Sequence, residues 1–539
     1  MKKLIYTCIV SLLFFSSKSQ PVIQWQNSYG GTSADHLNTG GRVFNNLSLT
    51  NDGGYIFAGN SQSDDGDVSN HHGTNSVPDF WVVKLDSTGT IEWEKSLGGT
   101  GDDDAEGVIQ TSDGGYIVIG RNSSNDGDVM NHYGGVDTSD AWIVKLDASG
   151  NIEWEKSFGG SDHDIGTQIM ETSYGYLFLG DTRSSDGDVS TNLGAIDIWL
   201  VKIDTAGNVL WEKTYGGTGG ERPSTVHMTT DGGYIVSGFT TSSDGDVQSN
   251  QFPGFLPIAW FLKVDSAGNI EWERTIGGSL FDTGSDAWQT SDGGYVLLSS
   301  STSSDGDATC THGSGDIHVM KVDASGNMEW SQCYGGTGND AARSIRQMPD
   351  LGYIISGATG STDGDVSSLI GAVDCWLIKT DSIGNIEWEK TYGGSLQEDL
   401  TGVVTTPDGG YVIAGESLSN DFDVSGHHGA TSEFDIWIAK LSSFATGVEE
   451  VVSVPVALSV YPNPFTKQTM ITLTLSSSEK VIVNVYDLFG RTVTTVVEKR
   501  LGQGNHAFSL NMEGAANGMY MISVQTSEDT IVQKLLLEQ

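Results

Sequence analysis

A tryptophan, four further residues and a glycine pair recur seven times along the chain, at Trp25, Trp93, Trp154, Trp211, Trp272, Trp330 and Trp388. The period of about sixty residues lies in the range of one propeller blade. Each copy holds four stretches with strand character, clearest in the second: AEGVIQTS, GGYIVIGRN, DAWIVKLDA and NIEWEKSF. Their apolar and β-branched residues are bounded by Asp, Asn and Gly, so each copy reads as a four-stranded antiparallel meander. The turns after the first strand (TSDGG) and after the third (DASGN) are short and carry residues that tolerate positive φ.

The ends of the array complement one another. The seventh copy stops after its third strand, FDIWIAKL around Trp437, while a spare fourth strand, VIQWQNSYGG from Val22 to Gly31, precedes the first copy. Pairing the two closes a circle and removes the sheet edges that a linear array leaves open. The expected fold is all-β: a seven-bladed β-propeller of four-stranded antiparallel blades, closed by the N-terminal strand, then a small β-sandwich. Residues 1–19 read as a signal peptide, 20–445 as the propeller, 446–456 as a linker and 457–539 as the sandwich.

Tryptophan usage agrees. Seven of the 14 lie on fourth strands and six on third strands (Trp81, Trp142, Trp199, Trp260, Trp376 and Trp437), with His318 in the remaining third-strand slot and Trp288 left over. Large flat side chains at matching positions suit packing between sheets. The third-to-fourth turn, Asp-x-x-Gly-x-x-x-Trp (Asp86, Gly89, Trp93; Asp147, Gly150, Trp154), is similar to the tryptophan-docking turns of quinoprotein propellers and, more loosely, to the Asp-box turns of sialidase-type propellers. In those families the turn is structural, so the resemblance implies architecture and carries over no quinone or glycan site.

Lys2 and Lys3, an apolar run from Leu4 to Phe15 and small residues at Ser17 and Ser19 form a secretory leader. No other segment approaches transmembrane length. Cys310, Cys333 and Cys375 remain after the leader, a sparse set for an exported protein. A Cys310–Cys333 bridge and an unpaired buried thiol are the two readings, and neither points to catalysis.

The last 85 residues or so alternate strands with glycine turns and lack both tryptophan and the repeat. Pro462, Asn463, Pro464 and Phe465 open this segment. Gly490–Arg491, Gly518–Met519–Tyr520 and the closing Lys534–Leu535–Leu536 follow in order. These four motifs resemble the type A C-terminal sorting domain of type IX secretion cargo. The resemblance implies export across an outer membrane by the type IX machinery, then release or attachment at the cell surface. It leaves the cargo's own activity open.

In a four-stranded meander the two short turns point to one face, and the second-to-third and blade-to-blade connections point to the other. Two acidic motifs converge on that elaborated face. Asp-Gly-Asp recurs in six second-to-third connections, as Asp65 and Asp67, Asp126 and Asp128, Asp186 and Asp188, Asp244 and Asp246, Asp305 and Asp307, and Asp363 and Asp365; the seventh copy keeps Asp421 and Asp423 around Phe422. The fourth residue after each glycine pair is also acidic: Asp35, Asp103, Asp164, Glu221, Asp282, Asp340 and Glu398. These acids are expected near the inner rim, because first strands line a propeller's central channel.

Two readings compete for the paired aspartates. Hard oxygen donors around a glycine turn suit calcium, which takes six to eight oxygens, and a formal net charge of −43 favours a counter-ion. Asp side chains also cap their own turns without any metal. Histidines in the same connections (His71, His72, His132, His312, His427 and His428) are spread over different copies, so stabilising a turn suits them better than one zinc site.

Gly-x-Ser-x-Gly, His-Glu-x-x-His and phosphate-loop signatures are absent from the sequence. The expected function is therefore a secreted or surface-displayed, non-enzymatic binding or adhesion propeller. Its acidic face is a candidate calcium site, and its partner is an extracellular glycan or protein. The competing class is a secreted carbohydrate-active hydrolase or lyase using carboxylates on that face. The strongly acidic balance argues against nucleic acid and anionic membrane. Departures from the repeat, above all NQFPGFLPIAW (Asn250 to Trp260) in the fourth copy, are the pointers to any unique site.

Overall fold

The computed structural model describes residues 20–537 apart from 38–45, 75, 136–137, 253, 255, 309–311, 431, 444–455, 462, 464, 476–477, 487–490, 503, 513 and 527–529. The chain divides after Gly447 into two compact units. Among the described residues every regular element is a strand.

Unit 1 is a propeller-like succession of seven antiparallel sheets. Six are consecutive meanders; sheet 2, for example, runs Asp103–Gln110, Tyr116–Asn122, Asp140–Leu146 and Ile152–Phe158. Sheet 1 has its first strand in two pieces, Asp35–His36 and Leu47–Leu49, both paired with Tyr55–Ser61. Sheet 7 takes Glu398–Thr405, Tyr411–Ser417 and Asp435–Leu441 from the end of the unit and Ile23–Tyr29 from its start. That last pairing is antiparallel, with Tyr29 opposite Ile436 and Ile23 opposite Leu441. The half-copies at the two ends therefore make one sheet, as their sequences imply.

Each sheet is tied to the one before it by the same backbone bond. The amide of the first residue of a sheet donates to the carbonyl just ahead of the preceding third strand: Asp103 to Pro78, Asp164 to Ser139, Glu221 to Ile196, Asp282 to Pro257, Asp340 to Gly315 and Glu398 to Val373. Asp35 N donates to Phe434 O at 2.9 Å, joining sheet 1 to sheet 7. The apolar side of that junction mixes Leu37, Phe57 and Trp81 with Val412, Ala414, Ile436 and Ile438.

Second and third strands are buried almost throughout, which accounts for their near-continuous apolar sequences. The six third-strand tryptophans are fully buried, and each indole N–H reaches an acceptor on the fourth strand 13 residues on or its equivalent. Trp142 donates to Glu155 at 2.8 Å and Trp376 to Glu389 at 2.7 Å, while Trp437 uses Gln26 of the N-terminal strand at 2.9 Å. Sheet 5 changes both partners together, His318 facing Ser331 at 2.8 Å. Trp25, Trp93, Trp272 and Trp330 on fourth strands pack edge-on against the next sheet's tyrosine, as Trp93 does on Tyr116. Lys84, Lys145, Lys263, Lys321 and Lys379 on third strands lie buried between a turn aspartate and a fourth-strand glutamate; Lys84 is 2.8 Å from both Asp52 and Glu92. Cys333 is disulfide-bonded; its expected partner Cys310 lies outside the described residues. Cys375 is a free, buried thiol.

Unit 2 stacks a three-stranded sheet (Val456–Tyr461, Gln468–Leu475, Gly504–Asn511) and a four-stranded one (Thr492–Leu501, Glu479–Tyr486, Gly518–Gln525, Thr530–Leu537). Ile471, Leu473, Val483, Ile522 and Leu535 form part of one core. The ends of its sequence signature meet. Asn463 Nδ2 donates to Lys534 O, its Oδ1 accepts from Leu536 N, both at 2.8 Å, and Phe465 is buried beside Leu537. Tyr520 donates its hydroxyl to Ala516 O at 2.7 Å and Gly518 holds φ at 145°. Arg491 falls just ahead of Thr492–Leu501. Pro462, Pro464 and Gly490 lie outside the described residues.

Candidate functional site

The paired aspartates of the second-to-third connections are held by the backbone. The first of each pair accepts from the amide that follows the glycine pair: Asp65 from Thr32, Asp126 from Thr100, Asp186 from Ser161, Asp244 from Thr218, Asp305 from Ser279, Asp363 from Thr337 and Asp421 from Ser395, at 2.7–2.8 Å. The carboxylates of Asp67, Asp128, Asp188, Asp246, Asp365 and Asp423 accept from the first glycine of the pair at 3.2–3.4 Å. Asp307 stands 3.9 Å from Arg274 instead. The intervening glycine turns at positive φ, and Gly66, Gly127 and Gly187 lie against the glycine pair ahead of their sheets; Phe422 makes the turn as a non-glycine residue at φ 53°. Calcium needs several oxygens converging on one point. Among the described residues no group of three or more His, Cys, Asp or Glu side chains converges in this way.

The acids after the glycine pairs, expected near the inner rim, are all buried: Asp35, Asp103, Asp164, Glu221, Asp282, Asp340 and Glu398 are at most 1 % exposed. Each caps the glycine turn before it. Asp103 accepts from Gly99 N at 2.8 Å and from Ser124 Oγ at 2.6 Å. A short side chain ringed by amides and hydroxyls is a structural acceptor, so these residues present no acidic ring to solvent. Burial lifts the Asp35 and Asp103 carboxyls to about 6, against the pull of those donors. The connection histidines pair with the acid that opens the third strand. His72 Nδ1 is 3.1 Å from Asp79, His132 Nδ1 3.3 Å from Asp140, and His428 Nδ1 3.0 Å from Asp435.

The unlike residues meet at the other end of the first strands, beside the short turns. One cavity of about 450 Å³ is lined by all seven sheets. At the register opposite the residue after each second-strand tyrosine stand Ser48, Ile109, Met170, His227, Trp288, Arg346 and Val404. Seven equivalent backbone positions thus carry seven different side chains. Those of sheets 2, 3 and 7 are apolar; those of sheets 4, 5 and 6 form one polar and aromatic arc.

The arc is tightly bonded. Trp288 stacks on His227 with ring centroids 3.8 Å apart, and the Arg346 guanidinium lies 4.1 Å from the Trp288 ring centroid, within cation–π range. Asp286, on the same strand as Trp288, joins them from below. Its Oδ1 accepts from His227 Nε2 at 2.9 Å, Thr225 Oγ1 at 3.0 Å and Ala287 N at 2.9 Å; its Oδ2 accepts from Arg346 Nη1 at 2.5 Å and Ile345 N at 3.1 Å. Burial opposes the Asp286 charge, but Arg346 and His227 outweigh it and hold the carboxyl well below its usual range. Burial likewise keeps the His227 imidazole below its ordinary value, more than Asp286 raises it. Arg346 keeps 24 % of its side chain exposed, and among the described residues its Nε and Nη2 make no hydrogen bond. The site offers a fixed cationic donor beside apolar walls, with no free carboxylate in the arc.

This site is not among the residues that the repeated motifs single out. Its signal in the sequence is Trp288, which fits no repeat slot, and the sixth residue after the buried acid, which differs in each of sheets 2 to 7.

Residues 459–538 match the family model of the secretion system C-terminal sorting domain. The chain is exported, secreted or attached at the surface, and no helix among the described residues is long and apolar enough to cross a membrane. The chain is similar to regulatory protein FlaEY of Caulobacter vibrioides, 24 % identical over 414 residues that cover 70 % of this chain and 42 % of that protein. The chain thus spans less than half the length of that relative. Among solved structures it is similar to puromycin hydrolase (10 % identity, TM-score 0.39, 83 % of this chain and 62 % of that one) and to the phage phi92 endosialidase (10 % identity, TM-score 0.34, 95 % and 87 %). Scores this low transfer no activity.

Proposed function

We propose that this protein is a type IX secretion cargo whose seven sheets form a closed seven-bladed propeller, and that it serves outside the cell as a non-enzymatic binding or adhesion module. Its ligand site is the mouth of the central channel. The observation that carries the reading is a cavity lined by all seven sheets, where unlike residues converge, while the repeated acids cap the backbone. The ligand is an extracellular glycan or protein segment. It would present oxygen acceptors to Arg346 and an apolar face to Ile109, Met170 and Val404. Asp286 already accepts five hydrogen bonds, which leaves it no lone pair for acid–base work and counts against the hydrolase alternative.

A glycan array probed with the full mature chain and with its Arg346→Gln variant tests this. Specific binding that falls at least about tenfold in the variant supports the mouth. Binding that is unchanged by the variant overturns it.

A further inference from the structure

The buried acid that opens each sheet does not stand alone. The third strand of the preceding sheet begins with an acid in six cases, and the two carboxyl groups face one another over the first glycine of the pair. A methyl group on Gly98 would lie 2.6 Å from Asp103 Oδ2 and 2.7 Å from Asp79 Oδ1. Gly159 is flanked in the same way by Asp164 and Asp140, Gly216 by Glu221 and Asp197, Gly335 by Asp340 and Asp316, and Gly393 by Glu398 and Asp374. Asp435 faces Asp35 at the junction of sheets 7 and 1. The junction of sheets 4 and 5 is the exception: the third strand of sheet 4 opens with Ile258, and over Gly277 only Asp282 remains.

One oxygen at these junctions lacks a donor. Asp79, Asp140, Asp197, Asp316 and Asp435 are fully buried, and in each Oδ1 has no hydrogen-bond partner. The companion oxygen of Asp197 accepts from Leu193 N at 2.5 Å, and Glu221 Oε2 accepts from Gly217 N at 2.9 Å. A buried acceptor pointing at a second acceptor is unfavourable twice over, through lost hydration and through like charge. A proton on one carboxyl removes both costs, because it turns the orphan oxygen into a donor toward its neighbour.

We propose that these carboxyl pairs are proton-binding sites, each holding one proton between two sheets, so that acidification tightens the joints of unit 1. The Asp197 carboxyl is raised to about 6, by burial first and then by the charges of Glu221 and Asp246. The sign follows. A carboxyl with a folded pKa above its unfolded value contributes stability that is fully present below the unfolded value, about 3.9, and is lost as pH rises through about 6.

Asp197–Glu221 is the pair to test alone, because four of the other five carry a histidine on the third-strand acid (His72, His132, His312 and His428). The groups facing it are Asp246 and the neutral donors Leu193 N, Gly217 N and Thr240 Oγ1. In Asp197→Asn the amide can keep its oxygen toward Leu193 N and donate to Glu221, a permanent copy of the protonated pair. Melting midpoints of the full mature chain are measured at about pH 5 and about pH 7.5, with the exposed Asp64→Asn as a control of equal charge change. The variant is expected to melt a few degrees above the unmodified chain at the higher pH and level with it at the lower one, while Asp64→Asn leaves the gap between the two pH values unchanged. A variant that melts below the unmodified chain by the same margin at both pH values overturns the proposal. The infrared carboxyl band of the unmodified chain gives a second, independent reading. A protonated-carboxyl band at about pH 6 that disappears on unfolding supports the pairs, and its absence from the folded protein overturns them.

Discussion

Asp286→Asn is the sharpest perturbation of the candidate site. The carboxylate joins three sheets: Thr225 and His227 from sheet 4, its own strand in sheet 5, and Ile345 and Arg346 from sheet 6. An amide cannot reproduce this set, since every partner on the Oδ2 side is a donor. If the amide oxygen stays toward Thr225 and His227, its NH₂ group confronts Ile345 N–H and the guanidinium. Two acceptor interactions are lost, one of them charge-assisted, and Arg346 loses its counter-charge. Breaking a buried pair costs about 3–5 kcal/mol; with Arg346 24 % exposed, solvent screening reduces the expected loss to about 3 kcal/mol. Urea unfolding followed by tryptophan fluorescence reports this directly, because every tryptophan lies before residue 448. The pH dependence has a fixed sign. The Asp286 carboxyl is depressed in the folded state, so its contribution is present above the unfolded value near about 3.9 and is lost as pH falls further. The gap between variant and unmodified chain should hold from about pH 5 upward and close below about pH 4. A loss under about 1 kcal/mol would refute the view that Asp286 clamps the arc.

Three further outcomes follow from the geometry. Gly98→Ala forces a methyl group between Asp79 and Asp103, at 2.7 and 2.6 Å, and should cost about 2–3 kcal/mol in the same unfolding assay. Gly114→Ala meets no atom within 4 Å at φ +87° and should cost about 1–2 kcal/mol, so equal losses at the two sites would contradict the crowding at Gly98. Deleting residues 20–29 removes the strand paired with Asp435–Leu441 and the acceptor of the Trp437 indole; gel filtration should show aggregation through the bared edge, whereas a stable monomer would contradict closure by the N-terminal strand. Melting in EDTA and in millimolar calcium should give one midpoint, because the Asp-Gly-Asp turns are satisfied by amides; a higher midpoint in calcium would show an ion bound by the folded state.

The architecture was legible in the sequence because its determinants are local and repeated. Tryptophan spacing, glycine turns and the complementary half-copies report strand count, turn type and the pairing of Ile23–Tyr29 with Asp435–Leu441 without any long-range information. The acids were legible as a pattern but not as a use. Whether Asp103 faces water or Gly99 N depends on how tightly the next sheet packs, and a one-dimensional spacing carries no burial. The site itself was hidden for a related reason. His227, Trp288 and Arg346 come from three copies about sixty residues apart, and each looks like drift within its own copy. They become a constellation only when sheets 4, 5 and 6 stand side by side. The unplaced Trp288 is the visible trace, and the fourth-copy insertion belongs to the second-to-third connections at the opposite face.

Hydrogen–deuterium exchange on the full mature chain, with and without a glycan selected from the array, tests whether the ligand sits at the mouth of the channel. Slowed exchange is expected in three separate segments, 225–229, 286–290 and 344–348, which are remote in sequence and adjacent at the mouth. Protection confined to the acidic connections, such as 64–79 or 305–308, would place the ligand on the opposite face and contradict that placement.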